Sequence, residues 1–263
     1  MAGLRLRLLG TGTSQGVPVI GCQCGTCLSP DPRDKRLRCA GLVSDGRTSV
    51  LIDCGPDVRA QLLRAGTTHL DAVVLTHEHN DHVIGLDDLR PFIFRQRGRP
   101  FRIYAEARVR REIRRRFAYA FAAEHYPGAP RFELLDAAPG VPIRVGTLPP
   151  ITPLRVFHGR LPILGYRVGA LAYLTDVKTV PAETTAALGG LGALVTSALH
   201  HHEHHSHMTL REAEAFAGAI GARRTYFIHM SHLAPRHGEL ERRLGPGMGV
   251  GYDGLVVGAT RRA

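Results

Sequence analysis

The fold class this sequence predicts is α/β, in one domain over residues 1–263, and three observations predict it. Short apolar runs rich in β-branched residues recur along the chain, helix-forming segments follow several of them, and 44% apolar composition over 263 residues suits a globular core. The apolar runs end on glycine, histidine or acidic residues, so polar chemistry is expected at strand ends.

In chain order, Leu4 to Leu9 (LRLRLL) alternates as an opening strand and runs into Gly10 to Gly16 (GTGTSQG). A glycine-rich turn after a strand binds phosphate in other folds. Here the P-loop lysine is missing and no G-x-G-x-x-G is completed, so the stretch reads as a tight backbone loop. Cys22, Cys24 and Cys27 follow within six residues. Three thiolates at that spacing can fill three corners of a tetrahedral structural zinc site, with the fourth ligand elsewhere. Arg33 to Arg38 is charged and reads as a mobile connection. Strands at Ala40 to Val43 and Ser49 to Ile52 pair across Asp45-Gly46, a hairpin signal, and Asp53 closes the second. Cys39 and Cys54 read as small buried apolar residues.

The densest chemistry lies at Thr76 to His82 (THEHNDH), directly after the apolar strand Leu70 to Leu75. Residues two apart in extended chain point the same way, so His77 and His79 can reach one metal ion. Asp81 and His82 follow where the chain turns toward a helix at Ile84 to Phe94, and they can face a second ion. Imidazole suits Zn, Fe, Ni and Co while the carboxylate admits Mn, so the ligand set does not select one metal. Asp87 or Arg90 on the following helix could line the pocket. Beyond it come a strand at 101–104, a helix from Glu106 to Phe121, and irregular or strand structure over Ala129 to Gly140.

The net charge of +11, from 34 Lys and Arg against 23 Asp and Glu, favours anionic partners such as phosphate esters and nucleic acids. The densest basic run, Arg108 to Arg116 (RVRREIRRR), reads as a solvated helix and does not by itself imply nucleic-acid binding. Five cysteines, an odd number, with no export signal argue against a disulfide framework, and no run of 18 apolar residues supports a membrane span. A cytoplasmic location is expected.

The stretch His77-Glu78-His79-Asn80-Asp81-His82 matches the H-x-H-x-D-H signature of the metallo-β-lactamase superfamily, and the chain resembles that family over nearly its whole length. The resemblance implies a four-layer αββα sandwich and metal-dependent hydrolysis. Within the superfamily the chain is similar to the phosphodiesterase branch that includes phosphoribosyl 1,2-cyclic phosphate phosphodiesterase. At greater distance it resembles tRNA 3′-processing endonucleases.

Carried over residue by residue, the resemblance implies His77, His79 and His158 on one catalytic divalent ion (Zn or Mn), and Asp81, His82 and His229 on a second, with Asp176 bridging. It makes Asp53 a hydrogen-bond partner of the histidine loop rather than a ligand. His207, in the histidine-rich Leu199 to Met208, becomes a non-ligand acid for the leaving group, so that Asp81 and His207 are the candidate catalytic residues. His200 and its neighbours are left as an adventitious metal-binding or basic rim. His232 completes a structural zinc site with Cys22, Cys24 and Cys27, and Val250 to Val257 (VGYDGLVV) resembles the branch's closing strand.

The implied reaction is hydrolysis of a small phosphodiester, of the phosphoribosyl 1,2-cyclic phosphate type. Two ions about 3.5–4 Å apart share a water whose pKa falls toward neutrality, and its hydroxide attacks phosphorus. The implied assembly is a homodimer. Two other readings stand beside this one: a tRNA 3′-processing endonuclease, and a non-hydrolytic cofactor-biosynthesis protein with the same cysteine motif.

Overall fold

The computed structural model describes residues 3–95, 99–124, 126 and 128–258. The outermost residues of the domain expected over 1–263 lie outside that set. Among the described residues are thirteen strands: β1 (Arg5–Gly10), β2 (Ala40–Ser44), β3 (Ser49–Ile52), β4 (Ala72–Val74), β5 (Phe101–Ala105), β6 (Phe132–Asp136), β7 (Ile151–His158), β8 (Leu161–Val168), β9 (Leu171–Leu174), β10 (Ala193–Ser197), β11 (Arg224–Ile228), β12 (Met248–Val250) and β13 (Val256–Gly258). They form a seven-stranded sheet in the order β13-β1-β2-β3-β4-β5-β6 and a six-stranded sheet in the order β12-β11-β10-β9-β8-β7.

Period-two alternation sends each strand's side chains to two different cores. Val50, Ile52, Ala72 and Val74 join Tyr166, Tyr173, Val195 and Ile228 in a cluster between the sheets. Leu51 and Val73 point the other way, onto α1 (Val58–Arg64), α3 (Arg90–Arg95) and α4 (Ala107–Arg116) through Leu62, Ile93, Val109 and Ile113. On the far side Leu174, Leu194 and Phe227 meet Leu210, Ala213 and Ala217 of α6 (Leu210–Ile220). Three cores separate four layers, αββα, and the short helices α2 (Asn80–Val83), α5 (Ala182–Ala187) and α7 (His237–Glu241) complete the described α-helices. No described helix is long and apolar enough to cross a membrane.

Several local expectations change. The helix expected over Ile84 to Phe94 is a 3-10 segment, Ile84–Leu89, followed by α3. Pro91 has no N–H to give to the Asp87 carbonyl, which takes the Arg90 N–H instead. The helix expected from Glu106 to Phe121 ends as an α-helix at Arg116. There Phe117 turns inward, 4% exposed, to pack edge-on against Phe132.

Arg33 to Arg38 is no loose connection. Arg36 is buried, donating to Thr11 Oγ1 at 2.9 Å and the Gly251 carbonyl at 2.6 Å, while Leu37 N–H donates to Asp253 Oδ2 at 2.8 Å. Val250 to Val257 is not one closing strand either. It leaves β12 in one sheet and enters β13 in the other, because Asp253, held also by the Thr11 hydroxyl, pins the crossing.

Candidate metal centre

β3 and β4 are parallel, as are β9, β10, β11 and β12, and β7 runs antiparallel to β8, which runs antiparallel to β9. The carboxyl ends of β3, β4, β7, β9 and β11 therefore bring Asp53, residues 76–82, His158, Asp176 and His229 to one edge of the sandwich, the edge at which α/β sheets ordinarily present their sites. Three of these residues sit in left-handed backbone: Asp53 at φ 62°, Asp176 at 56° and His229 at 57°. Each such non-glycine residue costs on the order of 1–3 kcal/mol, which the surrounding sheets must hold in place. The gain is directional, since the kink turns each side chain off the strand and into the site.

Asp53 organises the histidine loop from beneath. Its carboxylate accepts from Thr76 N–H at 2.8 Å, from the Thr76 hydroxyl at 2.9 Å and from His82 Nδ1 at 2.7 Å, all fully buried. Because the Thr76 hydroxyl spends its hydrogen on Asp53, its oxygen can only accept from His77 Nδ1, 2.9 Å away. His158 Nδ1 likewise donates to the Ser206 carbonyl at 2.8 Å. With Nδ1 donating in His77, His82 and His158, Nε2 is the nitrogen left to ligate a metal, in His82 once the ring gives up its second proton.

Those ring nitrogens converge. His77 Nε2 lies 3.0 Å from His79 Nδ1, and the His158 ring centroid is 5.3 Å from that of His79. His82 Nε2 is 3.3 Å from Asp81 Oδ2 and 3.5 Å from Asp176 Oδ1, while Asp176 Oδ2 is 3.3 Å from His229 Nε2. Asp176 thus faces His82 with one oxygen and His229 with the other. Ligand-type atoms of His77, His82 and Asp176 lie within 4.8 Å of one another, as do those of His158, Asp176 and His207. His82 Nε2 is buried with no well-formed hydrogen bond, and a cation would satisfy it.

The charges follow from burial and proximity. Burial pushes His77 well below the usual imidazole range and also lowers His79. Burial opposes the His82 cation too, but the Asp176 and Asp53 carboxylates flanking its ring outweigh it and hold its pKa well above the ordinary value. For Asp176, burial is outweighed by His229 and His82, which hold the carboxyl well below its usual range.

A model of the beta-lactamase superfamily domain matches residues 48–230. The chain belongs to the beta-lactamase superfamily. The solved structure of a diphosphatase from the PhnP family is 39% identical to it, with a TM-score of 0.90, covering 97% of this chain and 96% of that one. An octanoyltransferase of Porphyromonas gingivalis is 46% identical over 254 residues. That alignment takes in 96% of this chain but only 51% of the relative, so the chain spans about half the length of that protein. The zinc-bound PqqB of Methylobacterium extorquens shares the fold, with a TM-score of 0.79 at 21% identity over 96% of this chain and 99% of that one. The chain thus has the metallo-β-lactamase fold.

A second cluster stands beside the first in this superfamily member. The sulfurs of Cys22, Cys24 and Cys27 and a ring nitrogen of His232 lie within 4.8 Å of one another, with His232 Nδ1 3.2 Å from Cys22 Sγ and 3.5 Å from Cys24 Sγ. N–H groups point at the sulfurs: Cys27 N–H at Cys24 and Val19 N–H at Cys27. The Cys27 N–H helps pull the Cys24 thiol down to about 6, while burial pushes Cys27 up to about 11. This soft, four-donor set fits zinc. Cys39 and Cys54 are buried apart from it, with thiol pKa values raised by burial.

The two clusters meet across a cavity of about 410 Å³ that takes in Thr13 to Gln15, His79, Asp81, His158, Asp176, His207, His229 and His232. His207 stacks between His158 and His229, at centroid distances of 4.4 and 4.5 Å, and burial pushes its pKa down to about 2. Asp87 and Arg90 do not reach this cavity. They pair with each other at 2.7 Å and line a separate groove with Leu62, Leu63 and Phe92.

Sequence reasoning missed Thr76 and Ser206, which set histidine tautomers through a hydroxyl and a carbonyl. It also missed the bracing of the loop by α4. Arg108 pairs with Glu78 and Arg116 donates to Asn80 Oδ1 at 3.0 Å, so two residues of the basic run hold the metal loop from outside. The signal available was the interval between Glu78 and an arginine-rich helix, which carries no register.

Proposed function

We propose that the protein hydrolyses a small phosphodiester on two divalent metal ions. His77, His79 and His158 would hold one, Asp81, His82 and His229 the other, and Asp176 would bridge them. The observation that carries this reading is the shared wiring of His77, His82 and His158, each held at Nδ1 by a neighbour's acceptor so that Nε2 is the atom left to ligate. When bound, such a pair of ions supplies a water that is acidic near neutral pH and positive charge to oppose that of the phosphate.

The chain's own residues do the rest. Asp53 fixes His82 and, through Thr76, His77, while Ser206 fixes His158. His207 is neutral in the free site, because burial holds it at about 2. An anionic phosphodiester beside it favours the imidazolium, and His207 then gives its proton to the departing oxygen, a step typically worth ~10²–10⁴-fold. Cys22, Cys24, Cys27 and His232 would hold a structural zinc that ties residues 22–27 to the strand carrying His229. The likeness to a diphosphatase supports phosphorus as the centre attacked.

The nuclease reading loses its best feature in α4. Arg108 and Arg110 pair with carboxylates and Arg115 and Arg116 share Glu112, so four of the helix's six arginines are partly neutralised.

The test is hydrolysis of a phosphoribosyl 1,2-cyclic phosphate by Mn- or Zn-loaded protein, beside a chromogenic diester and precursor tRNA, with His79→Ala as control. Cleavage of the small diesters, lost in the variant, is the expected result. Cleavage of precursor tRNA alone would replace this reading with the nuclease. Metal counting on His207→Gln separates acid from ligand: an acid's loss leaves the metal content intact.

A further inference from the structure

The outer face of the seven-stranded sheet is apolar where helices cover it, as at Leu9, Leu51 and Val73. Past the end of α1 that pattern breaks. Leu6 and Leu8 of β1 point between the sheets, so Arg5 and Arg7 point outward onto the helical face. Antiparallel register sets Arg5 beside Ser44 of β2, and Ser44 beside Ser49 of β3, which makes a polar row across three strands. β1 lies between β13 and β2, so these are not charges placed to protect a sheet edge.

Both arginines line a cavity of about 240 Å³ between the sheet and the turn after α1. No carboxylate lines it, and among the described residues neither guanidinium has an ion pair or a hydrogen bond. Asp71, close in the fold, is spent on Ser49 N–H at 2.8 Å, and Asp45 on the Thr147 hydroxyl at 2.6 Å. Ser44 adds a donor. Its oxygen accepts from Gly46 N–H and from the Ser49 hydroxyl, both at 3.1 Å, which leaves its own hydrogen to give. The end of α1, whose bare carbonyls would repel an anion, is closed: the N–H groups of residues 65, 66 and 67 donate to the carbonyls of Gln61, Leu63 and Leu62. Two uncompensated cations in a hollow focus their field on whatever enters it.

We propose that this cavity binds a small phosphate monoester. Arg5 and Arg7 lie about 7 Å apart along β1, twice the rise per residue, so both side chains can close on one group. Each fork can meet two phosphate oxygens at once, and the Ser44 hydroxyl adds a third direction of approach, which suits a tetrahedral ligand. The volume is just under the ~300 Å³ at which pockets for larger ligands begin, so the organic part is small, and Leu42 and Val256 give it an apolar side. The metal centre is elsewhere. Ser49 begins β3 and Asp53 follows its end, about 13 Å further on at the rise of an extended chain. A ligand held here is therefore not the diester under attack, and the inference does not depend on the phosphodiesterase reading.

The test is titration calorimetry of glycerol 3-phosphate into metal-loaded protein at low salt, with sulfate as the comparison ligand. Wild type should show a site that persists in His79→Ala, where the metal centre is disabled. In Arg5→Gln/Arg7→Gln that site should weaken about hundred-fold, since hydrogen bonds to a charged group are on the order of tenfold each in affinity. Arg5→Lys/Arg7→Lys keeps the charge without the forks, should weaken it about tenfold, and carries the test if the Gln pair does not fold. Unchanged affinity in the arginine variants would overturn the proposal and leave the phosphodiesterase reading standing. Binding lost in His79→Ala and kept in the arginine variants would overturn it by placing the ester at the metal centre. Sulfate bound as tightly as the ester would overturn the assignment to a monoester.

Discussion

Residues 76–82 hold three histidines and residues 199–207 hold six, yet the two stretches are wired in opposite directions. In the first, the ring nitrogens facing the protein give hydrogens away, to Thr76 and Asp53. In the second, His200 and His204 take hydrogens from the main chain. The first loop follows directly on β4, whose apolar side chains fill two cores, and has a buried carboxylate beneath it. The second turns on itself at the surface, where the nearest partners are its own N–H groups. Composition alone would class both as metal-binding. What a histidine offers is decided by the group behind it.

The sharpest way to break this contrast is Asp53→Asn. The amide can still accept from Thr76 N–H but turns its NH₂ toward His82 Nδ1, forcing His82 into the tautomer of the second loop. Metal affinity should drop ~10–100-fold, with diester hydrolysis falling at least as far, as read by metal content and kinetics.

Cys22→Ser separates the thiol cluster from the histidine centre. One zinc per chain should be lost and Tm should fall by on the order of 10 °C, while metal at the histidine site stays.

The pH dependence of metal uptake sharpens the first loop further. His82 holds a proton well above the usual imidazole range, because Asp176 and Asp53 outweigh burial, and that proton must leave before Nε2 can ligate. Zinc affinity of the chelated protein should therefore go on rising with pH above the usual imidazole range, with proton release measurable by titration calorimetry in two buffers. A flat profile would argue that His82 is not a ligand.

Smaller effects come from α4. Arg108→Ala leaves the Glu78 side chain, 16% exposed, without its cation and should cost about 1–3 kcal/mol, with activity down several-fold. Arg115→Ala, whose side chain is 71% exposed, should leave Tm unchanged by differential scanning fluorimetry.

Much of this was legible in the sequence where chemistry and strand period coincide. The apolar run before Thr76, the spacing of the first histidine loop, the Asp-Gly hairpin and the grouping of three cysteines carry their own physical reasons. Arg36 was not legible. Among charged neighbours it reads as solvated, and only the fold shows that its partners are Thr11 and the Gly251 carbonyl. The wiring of the second loop was illegible for a related reason. His200 and His204 are set by main-chain N–H groups, which every residue has, and Ser206 acts on His158 through a carbonyl.

The left-handed kinks at Asp53, Asp176 and His229 have one more consequence. All three are polar residues in a conformation that glycine adopts more cheaply, and all three close strands that end at the same edge. A backbone trace stripped of side chains would still show three strand ends bent the same way around one hollow. The location of the centre is written into the main chain as well as the donor atoms, and a chain that had lost its histidines would keep the outline of where they stood.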